Sequence, residues 1–184
     1  MIVIISGTNR LNSNTRKVTT HVAASYKSLG VKTQVLDLAE LPEAIISPAA
    51  YAEKPVGLKK FTDAILAADG LVVITPEYNG GLPGILKLFI DMLPFPESFE
   101  QRPVCFVGLA AGIWGALRPV EQLQAIFGYR NAYIFPERVF MPGISKLLNE
   151  AGQFTSPDIE KRLAKQAEGF VGFVESLRAK KLRP

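Results

Sequence analysis

Five short runs rich in Val and Ile constrain this chain most: Ile2 to Ile5, Lys32 to Leu38, Gly70 to Thr75, Pro103 to Leu109 and Asn131 to Ile134. None alternates cleanly between apolar and polar residues, which is how parallel strands covered on both faces read. After each run the apolar spacing lengthens to three and four. Val18, Val22, Tyr26 and Leu29 trace one helical stripe, which Gly30 ends. Leu58, Phe61, Ile65 and Ala68 trace a second, and Leu117, Val120, Leu123 and Phe127 a fourth. The last covers Pro157 to Leu177, with Ile159, Leu163, Phe170, Val174 and Leu177 inward. The third, Pro83 to Leu93, is apolar nearly all round and predicts a helix buried on every side, in the core or against another subunit. Alternation of this kind predicts an α/β fold: a doubly wound five-stranded parallel sheet with helices on both faces.

A length of 184 residues suits one domain spanning residues 1–184. Hydrophobic residues make up 48% and charged residues 21%, which excludes a disordered chain. Three Pro-rich stretches, Leu41 to Pro55, Leu93 to Pro103 and Pro136 to Pro142, read as loops inside that domain. No apolar run approaches the ~18 residues of a membrane-spanning helix. The N-terminus lacks a basic region and a small-residue cleavage site, so it reads as a first strand and a cytoplasmic location is expected. One cysteine (Cys105) and one histidine (His21) exclude an internal disulfide and argue against a zinc cluster. The net charge of +4 comes from the tail: setting aside Arg178, Lys180, Lys181 and Arg183 leaves 17 basic residues against 17 acidic ones. No basic face for nucleic acid is therefore expected.

Ligands of such sheets bind outside the carboxyl ends of the strands, where the strand order reverses. For the order 2-1-3-4-5, the loops that matter follow strands one, three and four. The first loop, Ser6 to Thr15, crowds Thr8, Arg10, Ser13, Asn14 and Thr15 at the start of a helix. Free backbone N–H groups, hydroxyls and an arginine there make a site for a phosphate dianion; alternatively, Ser13 or Asn14 simply caps the helix. Neither a Walker loop nor a Rossmann glycine fingerprint is present. The second loop, Pro76-Glu77-Tyr78-Asn79-Gly80-Gly81-Leu82-Pro83-Gly84, permits positive φ and can direct backbone groups at the edge of a flat polar ring with Tyr78 beside it; alternatively it is an ordinary strand-to-helix turn, which explains the glycines but not the tyrosine. In the third, Ala110, Ala111, Gly112 and Gly115 allow close approach to a planar ligand, and Trp114 either walls it in or packs in the core or an interface.

These loops resemble those of the NADPH-dependent FMN reductase family, which includes quinone, azo-dye and chromate reductases. The family's Gly-Ser-x-Arg-x-x-Ser-x-Asn/Thr appears here as Gly7 to Thr15, with Thr8 in place of serine. Its Pro-Glu-Tyr-Asn-Gly-Ser/Gly-x-Pro-Gly is reproduced in full by Pro76 to Gly84. Leu117-Arg118-Pro119-Val120-Glu121-Gln122-Leu123 resembles its Leu-Arg-x-x-x-Gln-Leu, whereas the third loop lacks the family's serine and paired glycines. The resemblance implies a flavodoxin-like fold and FMN as cofactor. It implies that Thr8, Arg10, Ser13 and Thr15 hold the phosphate, that Pro76 to Gly80 cradle the ring and that Ala110 to Gly115 close one side.

The resemblance further implies hydride transfer from NADPH or NADH through the flavin to a small-molecule electron acceptor, in a homodimer or homotetramer. No catalytic acid, base or triad is needed, and none is found. His21 reads as a surface or packing residue, Cys105 as a small core residue, and Glu77 as an acid favoured before a helix start. Two other readings stay open: an FMN-binding electron carrier of flavodoxin type, and a flavin-free domain of the same fold acting by interaction.

Overall fold

The structure is a computed structural model describing residues 1–181; the side chains of Lys180, Lys181 and Arg183, most of the basic tail, lie outside what is described. Strands β1 (Ile2–Ser6), β2 (Thr33–Asp37), β3 (Gly70–Pro76), β4 (Pro103–Ala110) and β5 (Tyr133–Pro142) form one parallel sheet in the order β2-β1-β3-β4-β5. The helices are α1 (Asn14–Ser28), α2 (Lys59–Ala67), α3 (Gly84–Met92), α4 (Leu117–Tyr129), α5 (Ile144–Leu147) and α6 (Pro157–Lys181).

Every residue of β1, β3 and β4 is buried, which explains why their sequences do not alternate. Successive side chains instead feed two apolar cores. Val3, Ile5, Val73 and Phe106 join Phe61, Phe89, Leu123 and Phe127 from α2, α3 and α4. Ile2, Ile4, Val72 and Cys105 join Val22 and Tyr26 of α1 and Leu163 and Phe170 of α6. Cys105 is fully buried in strand β4, as its sequence context predicts. His21 packs: its ring lies 4.5 Å from that of Phe154, and Nε2 is 2.8 Å from the Gly152 carbonyl.

Two expectations need correction. The stretch Pro136 to Pro142 is strand, not loop: β5 continues through it to Pro142. Pro136 is tolerated because β5 is an edge strand, where a missing N–H breaks no inner ladder. Register shifts there, so that Val104 faces Ile134 and Phe106 faces Arg138. Gln166 of α6 fills the gap, its Nε2 donating to the carbonyls of Phe106 (3.0 Å) and Glu137 (2.9 Å). Helix α3 is not buried on every side. Leu86, Phe89, Ile90 and Met92 are buried, but Lys87 and Asp91 are exposed and pair at 2.7 Å on the outer face. Among the described residues, no helix is long and apolar enough to cross a membrane, and no group of three or more His, Cys, Asp or Glu is placed to hold a metal.

Candidate functional site

Strand β1 ends at Ser6, and the chain at once meets a steric gate. A Cβ on Gly7 would lie 2.5 Å from the carbonyl oxygen of Ile74, to which the Gly7 N–H donates at 2.8 Å. Only glycine passes there. The next residue, Thr8, is fully buried; its Oγ1 accepts from the Arg10 N–H at 3.2 Å and lies 2.9 Å from Tyr78 Oη. Asn12 takes a left-handed φ of 53°. Ser13 then caps α1, its Oγ accepting from the Arg16 N–H at 3.2 Å. The N–H groups of Asn14 and Thr15 belong to the first helical turn, which has no intrahelical acceptors and carries the positive end of the helix dipole. Arg16 is drawn away to Asp37 at 3.3 Å. Arg10 is exposed and forms no ion pair among the described residues.

The second loop is a two-residue hairpin. Tyr78 and Gly81 exchange backbone hydrogen bonds at 3.0 Å, and Asn79 (φ 51°) and Gly80 (φ 76°) make the turn. Two successive positive φ values on Asn-Gly define a type I′ turn. Helix α4 braces this hairpin from outside. Arg118 reaches Glu77 Oε1 at 3.2 Å, and one turn later Gln122 Oε1 accepts from the Leu82 N–H at 3.0 Å. The Arg-x-x-x-Gln spacing thus presents two groups from one helix face to one loop. The other carboxylate oxygen of Glu77 is buried without a partner.

The third loop is anchored at its base and free at its tip. A Cβ on Gly108 would meet the Gly115 carbonyl oxygen at 2.8 Å, and one on Gly115 would meet the Pro142 nitrogen at 2.9 Å. The tip from Ala111 to Trp114 is exposed, with Ile113 80% and Trp114 53% accessible, and nothing lies within 4 Å of a Cβ placed on Gly112. Trp114 is therefore not a core residue of the chain; the Arg118 guanidinium lies over its ring at 5.6 Å.

These loops enclose a cleft of about 580 Å³, lined by residues 10–15 of the first loop, Pro76, Glu77 and Tyr78 of the second, Leu109, Ala110 and Ala111 at the end of β4, and Ile144 of α5. Nine residues expected from sequence come together in it: Arg10, Ser13, Asn14, Thr15, Pro76, Glu77, Tyr78, Ala110 and Ala111. Thr8, Asn79, Gly80, Gly112 and Gly115 do not line it. Leu11, Asn12, Leu109 and Ile144 were missed; the first two sit inside the predicted phosphate loop, whereas no motif marks Ile144. A second hollow of about 450 Å³ beside Val56, Leu58, Met92 and Leu93 is apolar and remote from the point where strand order reverses. Its lysines are engaged, Lys54 with the carbonyls of Ala50 and Tyr51 and Lys59 with Asp63.

The cleft at the carboxyl edge fits FMN by its donor chemistry. Arg10, which forms no ion pair among the described residues, and the N-terminus of α1 both line it, which suits a phosphate dianion. The side chains of Ala110 and Ala111 keep another wall flat and shallow. Its volume falls within the ~300–1,000 Å³ usual for cofactor pockets.

A 2-1-3-4-5 sheet with an anion-accepting helix start and a flat-walled cleft at its switch point defines a flavodoxin-like protein. More narrowly, the chain belongs to the NADPH-dependent FMN reductase family, whose sequence profile matches residues 1–145. It is 29% identical over 167 residues to the NADPH azoreductase of Bacillus sp. (strain OY1-2), an alignment covering 88% of this chain and 89% of that protein. It is 27% identical over 165 residues to the FMN-dependent NADPH-azoreductase of Staphylococcus aureus (strain USA300), covering 88% and 87%. Its fold superposes with a TM-score of 0.79 on FerB, a flavoenzyme NAD(P)H:(acceptor) oxidoreductase from Paracoccus denitrificans, at 22% identity and over 95% and 97% of the two chains.

Proposed function

We propose that this chain, acting as one domain over residues 1–184, carries electrons from NADPH or NADH to a small-molecule acceptor of the quinone, flavin, azo or metal-oxyanion class. The chain is an NAD(P)H-dependent oxidoreductase that works with FMN. The observation that carries the reading is the meeting of Arg10, the α1 N-terminus and the braced hairpin around one cleft.

When bound, FMN supplies the hydride chemistry and the protein supplies position and electrostatics. Arg10 and the N–H groups of Asn14 and Thr15 hold the phosphate, with Ser13 fixing the helix start. Pro76, Glu77 and Tyr78, the part of the hairpin that lines the cleft, would set one edge of the ring site. Ala110 and Ala111 give the ring a flat wall. The third loop leaves Gly112 to Trp114 at the entrance, where nicotinamide and acceptor exchange. No side chain acts as acid or base.

The exposed apolar rim of Leu11 (78%), Ile113 (80%) and Trp114 (53%) supports a homodimer or homotetramer in which a partner covers it. The outer face of α3, with its Lys87–Asp91 pair, does not. Use of nicotinamide cofactor is in keeping with a cytoplasmic location.

Anaerobic spectrophotometry tests the reading. Protein saturated with FMN should lose its visible flavin absorption on addition of NADPH and regain it with a quinone. Retained colour would mean an electron carrier without nicotinamide activity; failure to bind FMN would overturn the site.

A further inference from the structure

We propose that Trp114 is the platform on which a planar aromatic acceptor stacks as it enters the cleft, and that Arg118 is the positioning residue that presents it. The inference rests on the reading of the cleft as a flavin site and names the acceptor class within it: flat aromatic molecules, such as quinones and azo compounds, ahead of inorganic ones. Trp114 is the only tryptophan of the chain. It stands at the doorway, 53% accessible and three residues beyond Ala111, which lines the cleft. A singly exposed apolar residue is ordinary; what marks this one is how its backbone and its ring are held. Between Trp114 and α4, Gly115 (φ 57°) and Ala116 (φ 71°) both take left-handed backbone. For Ala116 that conformation is unfavourable, because its Cβ crowds the following carbonyl. Strain of this kind persists where the surroundings over-determine it, as at ligand clamps. Here it turns the tip back onto the helix start. The Trp114 carbonyl accepts from the Leu117 N–H at 3.0 Å, and the Arg118 guanidinium lies over the indole ring at 5.6 Å.

Arg118 is itself fixed from the cleft side. Its Nη1 meets Glu77 Oε1 at 3.2 Å, and Glu77, only 13% exposed, lines the cleft. Carboxylate, guanidinium and indole thus form one path from the cleft wall to the doorway. Arginine suits the middle place because its planar group can pair with a carboxylate and stack on a ring at once; an ammonium can do only the first. The indole keeps more than half of its surface open while the guanidinium holds it. A flat aromatic acceptor gains from stacking on such a ring, whereas a compact inorganic anion does not. A partner subunit closing over Leu11 and Ile113 would roof this space and leave the acceptor as the layer between it and the indole.

The test follows anaerobic reoxidation of FMN-loaded protein, reduced beforehand with dithionite so that nicotinamide activity is not needed. One acceptor is 1,4-naphthoquinone, which takes two electrons and two protons to become the hydroquinone as the flavin returns to its oxidised form. The other is ferricyanide, an inorganic anion without a flat ring, of which two equivalents each take one electron. Trp114→Ala should raise the half-saturating naphthoquinone concentration about tenfold at an unchanged limiting rate, and Trp114→Phe should stay within about threefold of wild type. Ferricyanide half-saturation should move by less than about twofold in both, since it does not stack. Arg118→Lys keeps the charge but not the planar group; it should raise naphthoquinone half-saturation about threefold. The same variant should speed the local anisotropy decay of Trp114 fluorescence, a readout of this one ring. Equal losses for the two acceptors, a lower limiting rate at unchanged half-saturation, or no loss in Trp114→Ala would overturn the platform. Arg118→Lys that matches wild type in both half-saturation and anisotropy would overturn the positioning role. Wild type that fails to bind FMN would overturn the reading of the cleft itself; wild type that binds it while Trp114→Ala behaves identically would overturn only the platform.

Discussion

The two edges of the sheet use arginine in opposite ways. At the amino edge, Arg102 is enclosed: it donates to the carbonyls of Ser98 (2.7 Å), Glu97 (3.1 Å), Leu66 (3.4 Å) and Ala68. Nearby, the Arg130 guanidinium lies over the rings of Phe95 (4.8 Å) and Phe99 (4.9 Å) and donates through Nη2 to the Pro94 carbonyl at 2.8 Å, its Nε being buried without a partner. Burial pulls both guanidinium groups below their ordinary value, Arg102 with Asp69 opposing the shift. At the carboxyl edge, Arg10 forms no ion pair among the described residues, and the N–H groups of Asn14 and Thr15 in the first turn of α1 have no intrahelical acceptor. Donors satisfied inside the chain contribute stability; donors left unsatisfied are available to a ligand.

Removing one arginine from each edge should separate these roles. Arg102→Met leaves several carbonyls unsatisfied and should cost about 3 kcal/mol, lowering Tm by roughly 6–12 °C. FMN affinity should hold, and a parallel loss of affinity in titration would break the distinction. Arg10→Ala should do the reverse. It removes a charge-assisted contact of about 1.5–3 kcal/mol, so the Kd for FMN should rise by roughly 10- to 100-fold while Tm stays put.

How much of this was legible in the sequence follows from the range of each interaction. Strands β1, β3 and β4 are marked by their own burial, and the first two loops by local residue patterns. What long-range packing decides is not marked locally. Pro136 looks like a breaker, yet Gln166 and the edge position let β5 pass through it. Ile144 reaches the cleft from a helix too short to show a period, after Gly143 at φ 62°. Gly115 resembles a ligand-approach glycine, but its confinement comes from Pro142. The contact of Thr8 with Tyr78, 70 residues away in the chain, is likewise invisible to local pattern.

The core between the two edges holds a thiol and a phenol in contact. Burial pushes the Cys105 thiol and the Tyr26 phenol up from their ordinary values of 9.0 and 10.0, the 4.0 Å contact between them reinforcing the shift for Tyr26. Both groups stay protonated in the folded chain when the unfolded chain begins to lose those protons. Their contribution is thus complete below about pH 8.5 and falls above it, by up to ~1.4 kcal/mol per pH unit for the thiol. Urea titrations from pH 7 to 10.5 should show the decline, and Cys105→Ala should delay its onset. The smallest effect is expected at Arg118. It is 52% exposed, so Arg118→Ala should change stability by less than about 1 kcal/mol. Its consequence should appear as weaker flavin binding through the loosened hairpin, and an unaltered Kd would leave Gln122 as the effective brace.

The third loop has a further meaning for how such a protein diversifies. Its base cannot vary, since a Cβ on Gly108 or Gly115 would come within 3 Å of backbone atoms. Its tip faces open space at Gly112, so side chains of many sizes are admissible there at little expense to folding. Natural selection, or a mutagenesis library, can therefore rewrite the doorway to the cleft one residue at a time while the hinge under it stays invariant. A scaffold arranged in this way separates what must be inherited unchanged from what is free to adapt.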